Sequence, residues 1–129
     1  MIMKIYTSYF AINGTNPSAK AISVTVPKFF KGPRLRRLAP NGVILRGLKM
    51  DLITLKSYFK IYRSYLENNI SDEYIQKNIH NGDILLCWEK DESMCHRSVL
   101  AEFLRERGVE VEETHERLNP DVQTMNLFD

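Results

Sequence analysis

The stretch that most restricts how this chain can fold is an apolar run, Ile84-Leu85-Leu86-Cys87-Trp88, set between Gly82 and the charged Glu89-Lys90-Asp91. A short, continuous apolar run between turn signals reads as a strand covered on both faces. The charged loop then leads to Cys95-His96-Arg97 at the head of an amphipathic helix, predicted from about Met94 to Arg107 with Gly108 just past its end. Strand, polar loop and helix make half of a βαβ unit, and ligands of open α/β sheets sit at the carboxyl ends of the strands. The expected fold is α/β: a three-layer, Rossmann-like domain with a small, mostly parallel sheet. Cys87, Glu89, Lys90, Cys95, His96 and Arg97 are expected to crowd one end of that sheet.

At about 100° per residue, Val99, Leu100, Phe103 and Leu104 share one helix face. His96 falls near the centre of that face, with Cys95 and Arg97 on its borders, so the imidazole is expected to point inward. A thiol in the first helical turn meets the positive end of the helix dipole, which favours thiolate. The free backbone N–H groups there, with the fork of Arg97, suit an anion.

The remaining elements are read in chain order. Met1 to Ser8 reads as the first strand, which places Ser8 near the site as a further ligand contact. A turn-rich loop, Phe10 to Lys20, leads to a second strand, Ala21 to Val26, stopped by Pro27. Lys28 to Arg37 carries five basic residues and two phenylalanines. Basic residues interleaved with aromatics suit phosphates and bases, with Arg34 and Arg36 as candidates; the plainer reading is a solvated loop whose Phe29 and Phe30 tuck into the core. Pro40-Asn41-Gly42 is a turn or the start of a short helix. Asp51 is expected to cap a helix to Asn68, with Leu52, Leu55, Phe59, Tyr62 and Leu66 at 3-4-3-4 spacing. Ser71 caps a shorter helix, Asp72 to His80. Val109 to Glu113 alternates apolar and acidic residues, as an edge strand with a solvated face does.

The chain has 129 residues and a formal net charge of +2, so one domain over residues 1–117 with a tail over 118–129 is expected. The near-balanced charge neither demands nor excludes nucleic acid. With two cysteines, no signal peptide and no long apolar run, a cytoplasmic protein with no membrane partner is expected. A Cys87–Cys95 disulfide is open to the sequence, but a reducing compartment disfavours it. The tail closes in Thr124-Met125-Asn126-Leu127-Phe128-Asp129. Its Leu-Phe ending resembles the peptides by which bacterial DNA-processing proteins dock on the replication sliding clamp; folding back on its own core is the alternative.

Cys87-x-Glu89-Lys90-Asp91, followed after a short gap by Cys95-His96-Arg97, resembles the domain-of-unknown-function family 488. Most of the chain shares the resemblance. MKIYTSY echoes the family's opening strand, Leu38-Ala39-Pro40 and Tyr58, Tyr62 and Tyr65 its central part, and Gly108 to Val111 its closing strand. The resemblance implies the fold and the candidate positions Cys87, Glu89, Lys90, Cys95, His96 and Arg97, but no reaction and no cofactor. Thr25-Val26-Pro27 stands where many members carry Asp-Val-Arg.

Two function classes follow. In an enzyme, His96 and Glu89 serve as acid/base groups, Arg97 as the anion clamp and Cys95 as a nucleophile, on a phosphorylated or nucleotide-like ligand. In a nucleotide- or nucleic-acid-binding module, the Lys28 to Arg37 segment holds phosphates and binding falls steeply with salt. Cys87, Cys95 and His96, with Glu89, are zinc-type donors, but adjacent helical residues project about 100° apart and there is no C-x2-C pair, so no metal site is expected.

Overall fold

The structure, a computed structural model, describes residues 3–120. The Leu-Phe tail ending lies outside the described residues. Four parallel strands run in the order β2-β3-β1-β4: β1 (Lys4–Tyr9), β2 (Ala19–Ala21), β3 (Ile84–Cys87) and β4 (Glu110–Glu113). The helices are α1 (Phe10–Asn13), α2 (Gly42–Lys49), α3 (Leu55–Asn69), α4 (Asp72–Asn78) and α5 (Arg97–Arg105). The sheet is thus wholly parallel and the architecture is the α/β, Rossmann-like one expected.

All four residues of β3 are buried, as the unbroken apolar run requires of a strand paired on both edges and covered on both faces. Leu85 and Cys87 face a core made with Tyr62, Leu66, Leu100, Phe103 and Leu104 from α3 and α5. Ile84 and Leu86 face the opposite layer, with Tyr6, Phe10 and Phe30. Register puts Cys87 opposite Tyr9, so the last residues of β1 and β3 end together.

Several boundaries differ from the sequence reading. The second strand is Ala19–Ala21, not Ala21 to Val26. The backbone of Pro33 to Leu35 takes its outer edge, with Ala21 N–H donating to Pro33 O and Leu35 N–H to Ala21 O. Ile22 N–H still donates to Leu86 O at 2.9 Å, and then Ser23 to Thr25 bend away, with Ser23 Oγ bonded to Thr25 O. Asp51 is not a cap: its φ of +58° turns the chain out of α2, and Thr54 caps α3 by accepting from Ser57 N–H. Leu52 is therefore 73 % exposed rather than part of the buried stripe, which is Tyr58, Tyr62 and Leu66. The last helix starts late. A short 3-10 turn, Glu92–Met94, precedes it, and Cys95 is extended between the two. Gly108 turns the chain into β4 at φ +87°.

Candidate functional site

β3 ends at Cys87, and the charged loop returns the chain over the sheet end to Cys95 and His96. The bend after Ile22 opens a hollow of about 170 Å³ beside them. Its floor and walls include Cys87, Cys95, His96, Tyr58, Trp88 and Glu89, and Lys49 of α2 adds a cation.

His96 is 5 % exposed, as its place on the apolar helix face implied. Its Nε2 lies 2.6 Å from the carbonyl oxygen of Ile22. A carbonyl only accepts, so the proton sits on Nε2 and Nδ1 keeps a free lone pair. That nitrogen is 3.7 Å from Cys95 Sγ. The Tyr62 ring meets the imidazole edge to face, and burial, with the charge of Arg97, lowers its pKa to about 4. His96 is neutral at physiological pH.

Arg97 corrects the expectation of an anion clamp. It is fully buried, and each of its five N–H groups meets a protein acceptor. Nε and one terminal nitrogen form a fork with the two carboxylate oxygens of Glu113, both at 2.9 Å. The others reach the carbonyls of Glu89 and Lys90 and Cys87 Sγ, the last at 3.1 Å. The guanidinium therefore folds the loop over the sheet end and presents no free fork to a ligand.

The two sulfurs are joined in a Cys87–Cys95 disulfide, which overturns the expectation of two separate thiols. The strand end and the returning loop deliver both to one point. Cys95 is not in the first turn of α5, since it precedes the cap residue His96, yet Arg97 N–H still points to its sulfur at 3.5 Å. The expected divergence of Cys95 and His96 fails for the same reason: Cys95 is extended and leaves the helical wheel, whereas His96, with helical φ and ψ, keeps its place on it. The donor atoms of Cys87, Cys95 and His96 all lie within 4.8 Å of one another.

Other candidates lie elsewhere. Ser8 is buried beside the chain just past β4, donating to Thr114 O and accepting from Asn13. Lys90 contributes its carbonyl to Arg97 but does not line the hollow. Arg34 donates to Val24 O and so holds the rim from outside; Arg36 is exposed away from it.

Residues 20–108 match the family model DUF488-N3a, described as the active DUF488-N3 subclade. The chain belongs to the DUF488 family. No curated protein and no solved structure matches it. The DUF488 match takes in every residue that lines the hollow, whereas Glu113, which fixes Arg97, lies beyond it.

Sequence reasoning about this DUF488 chain missed Glu113, Tyr58, Trp88 and Lys49. Glu113 had a signal. Glu110 and Glu112 are exposed, so period two puts Glu113 on the inward side with the buried Val111. Trp88 is half-exposed, with its Nε1–H held by Thr25 O at 3.0 Å and Thr25 Oγ1 at 3.2 Å. Thr25 thus has a role of its own at the position where many family members carry an acid.

Proposed function

We propose that this DUF488 chain is a thiol-dependent enzyme that acts, in its reduced state, on a small nucleotide-like ligand in the hollow. One observation carries the reading: Cys95 Sγ lies 3.7 Å from the lone-pair nitrogen of His96, whose other nitrogen is tied to Ile22 O at 2.6 Å. A sulfur beside a base, with the base oriented by a third group, is the arrangement of an activated nucleophile. The naming of the matching subclade as active agrees with it.

In this reading the Cys95 thiol passes its proton to His96 Nδ1 as the sulfur bonds to an electrophilic carbon of the ligand. The departing group takes that proton from Nδ1 as its bond to carbon breaks; water then bonds to the same carbon, its proton passes through Nδ1 to the sulfur, and the carbon–sulfur bond breaks to restore the thiol. His96 is neutral at pH 7, so its Nδ1 lone pair is open to the thiol proton, while burial opposes the cation and favours passing that proton onward. Arg97 is a positioning residue: it fixes the loop and, through Cys87 Sγ, the partner sulfur. The rigid face of Trp88 suits a nucleobase, and Lys49 suits a phosphate. Tyr58 and Glu89 line the same space.

The experiment follows alkylation of reduced protein by iodoacetamide, with nucleoside mono- and diphosphates as protectants. Cys95 is expected to react faster than a free thiol, more slowly in His96→Gln, and to be shielded by at least one nucleotide. Equal rates in the two proteins, with no shielding, would sink the reading.

A second reading, a nucleic-acid-binding surface, is favoured by Phe29, which stands half-exposed between the exposed Lys28 and Lys31 on a different part of the surface. Its mark is a steep fall of single-strand affinity with salt, abolished by Lys28→Ala with Lys31→Ala.

A further inference from the structure

Cys95 and its base His96 are, together with the partner sulfur of Cys87, also a ligand set. We infer that the reduced protein binds one zinc ion through Cys87 Sγ, Cys95 Sγ and His96 Nδ1, and that the ion silences the thiol. The inference rests on the thiol-enzyme reading for its consequence and on geometry alone for the site.

Four observations support it. The three donor atoms lie within 4.8 Å of one another, and all three residues are buried. Tetrahedral zinc with thiolates at about 2.3 Å and imidazole at about 2.0 Å draws its donors to roughly this spacing or closer. The Cα atoms of the cysteines stand 7.6 Å apart, which leaves room for a shared ion once the sulfurs part. His96 already has the form of a ligating histidine. Its Nε2–H is fixed on a backbone carbonyl, which sets the tautomer and aims the Nδ1 lone pair at the sulfurs. Arg97 donates to Cys87 Sγ at 3.1 Å and Arg97 N–H points to Cys95 Sγ, the outer hydrogen bonds that zinc-bound thiolates take up.

The fourth coordination position faces the hollow. There the Tyr58 hydroxyl, with no hydrogen-bond partner among the described residues, meets the solvent of the hollow. A zinc-bound water in the hollow would give that hydroxyl a partner.

The steps balance as follows. A dithiol reductant breaks the Cys87–Cys95 bond and is itself oxidised to its disulfide, leaving two thiols. Each thiol releases its proton to solvent as zinc binds, and the two thiolates neutralise the ion's charge. His96 brings its lone pair without losing a proton. Zinc then occupies both the Cys95 sulfur pair and the base, so the thiol is not free to attack.

The test uses the whole chain, reduced with a dithiol, freed of reductant without air, and titrated with zinc against a chromophoric chelator. About one zinc per chain is expected, lost in Cys87→Ser and in Cys95→Ser, with cobalt giving the intense near-ultraviolet band of thiolate coordination. Zinc should slow alkylation of Cys95 by at least about tenfold, and a chelator should restore it. Failure of the reduced, unmutated protein to hold zinc overturns the inference, as does equal binding by a variant lacking both thiols. If zinc leaves a fast, His96-dependent alkylation unchanged, the metal site falls and the thiol-enzyme reading stands. Slow alkylation in chelator-treated protein sinks that reading instead, whatever zinc does.

Discussion

With its N–H groups all engaged, the Arg97 guanidinium is a strut between the loop after β3 and the last strand. Its counter-ion, Glu113, also accepts from Thr7 Oγ1 at 2.8 Å. Removing one partner of a buried pair leaves an uncompensated charge, so Glu113→Ala is expected to cost about 3 kcal/mol in urea unfolding at pH 7. His96 makes a second prediction. Its folded pKa, about 4, is below the unfolded value of about 6.5, because burial disfavours the cation. Between those values the unfolded chain binds the extra proton. Stability is therefore complete above the unfolded value and falls as pH drops through the window, by roughly 3 kcal/mol in all. Urea midpoints of metal-free, oxidised protein at pH 7 and pH 4.5 should show this loss, and His96→Gln should flatten it. That His96 turns inward was legible from the wheel. That Arg97 is consumed internally was not, because its partner lies in β4, 16 residues away, and only the tertiary structure sets them side by side.

Elements differ in how well they are held. α3 buries Tyr58, Tyr62 and Leu66, and Tyr62 donates to Leu38 O at 2.6 Å. α2 buries no residue fully and leaves Val43 69 % exposed. Few buried contacts mean a low opening free energy, so amides of α2 should exchange with deuterium well before those of α3 and α5 in native-state exchange. Equal protection would refute that ordering. The cap of α3 gives a smaller effect: Thr54→Ala removes the acceptor for Ser57 N–H and should cost about 1 kcal/mol in thermal or urea unfolding. β3, the body of α5 and the Tyr62–Leu66 part of the α3 stripe could be read from the sequence, from an unbroken apolar run in one case and a helical period in the others. The end of β2 and the start of α5 could not. Both are set by backbone partners, Pro33 to Leu35 in one case and the Asp91-capped turn in the other, which local periodicity does not encode.

At the scale of the molecule, the sheet order decides what depends on what. β1 pairs with β3 on one side and β4 on the other, so it is central although it comes first in the chain. A chain cut after Gly108 loses β4 and Glu113 together. It is expected to lose cooperative unfolding, as read by circular dichroism with increasing urea. The parallel α/β class was legible from one apolar run and its following helix; the order of the strands was not, since the pairing of distant segments leaves no local trace.

The placement of that first strand also has a consequence for birth on the ribosome. Lys4 to Tyr9 leaves the ribosome well before its neighbours, Ile84 to Cys87 and Glu110 to Glu113. Until β3 has been made, β1 is a bare ribbon of peptide groups, and the entropy of closing so long a loop delays its docking. A holding chaperone, rather than a faster turn, is what such a chain would most benefit from while it waits.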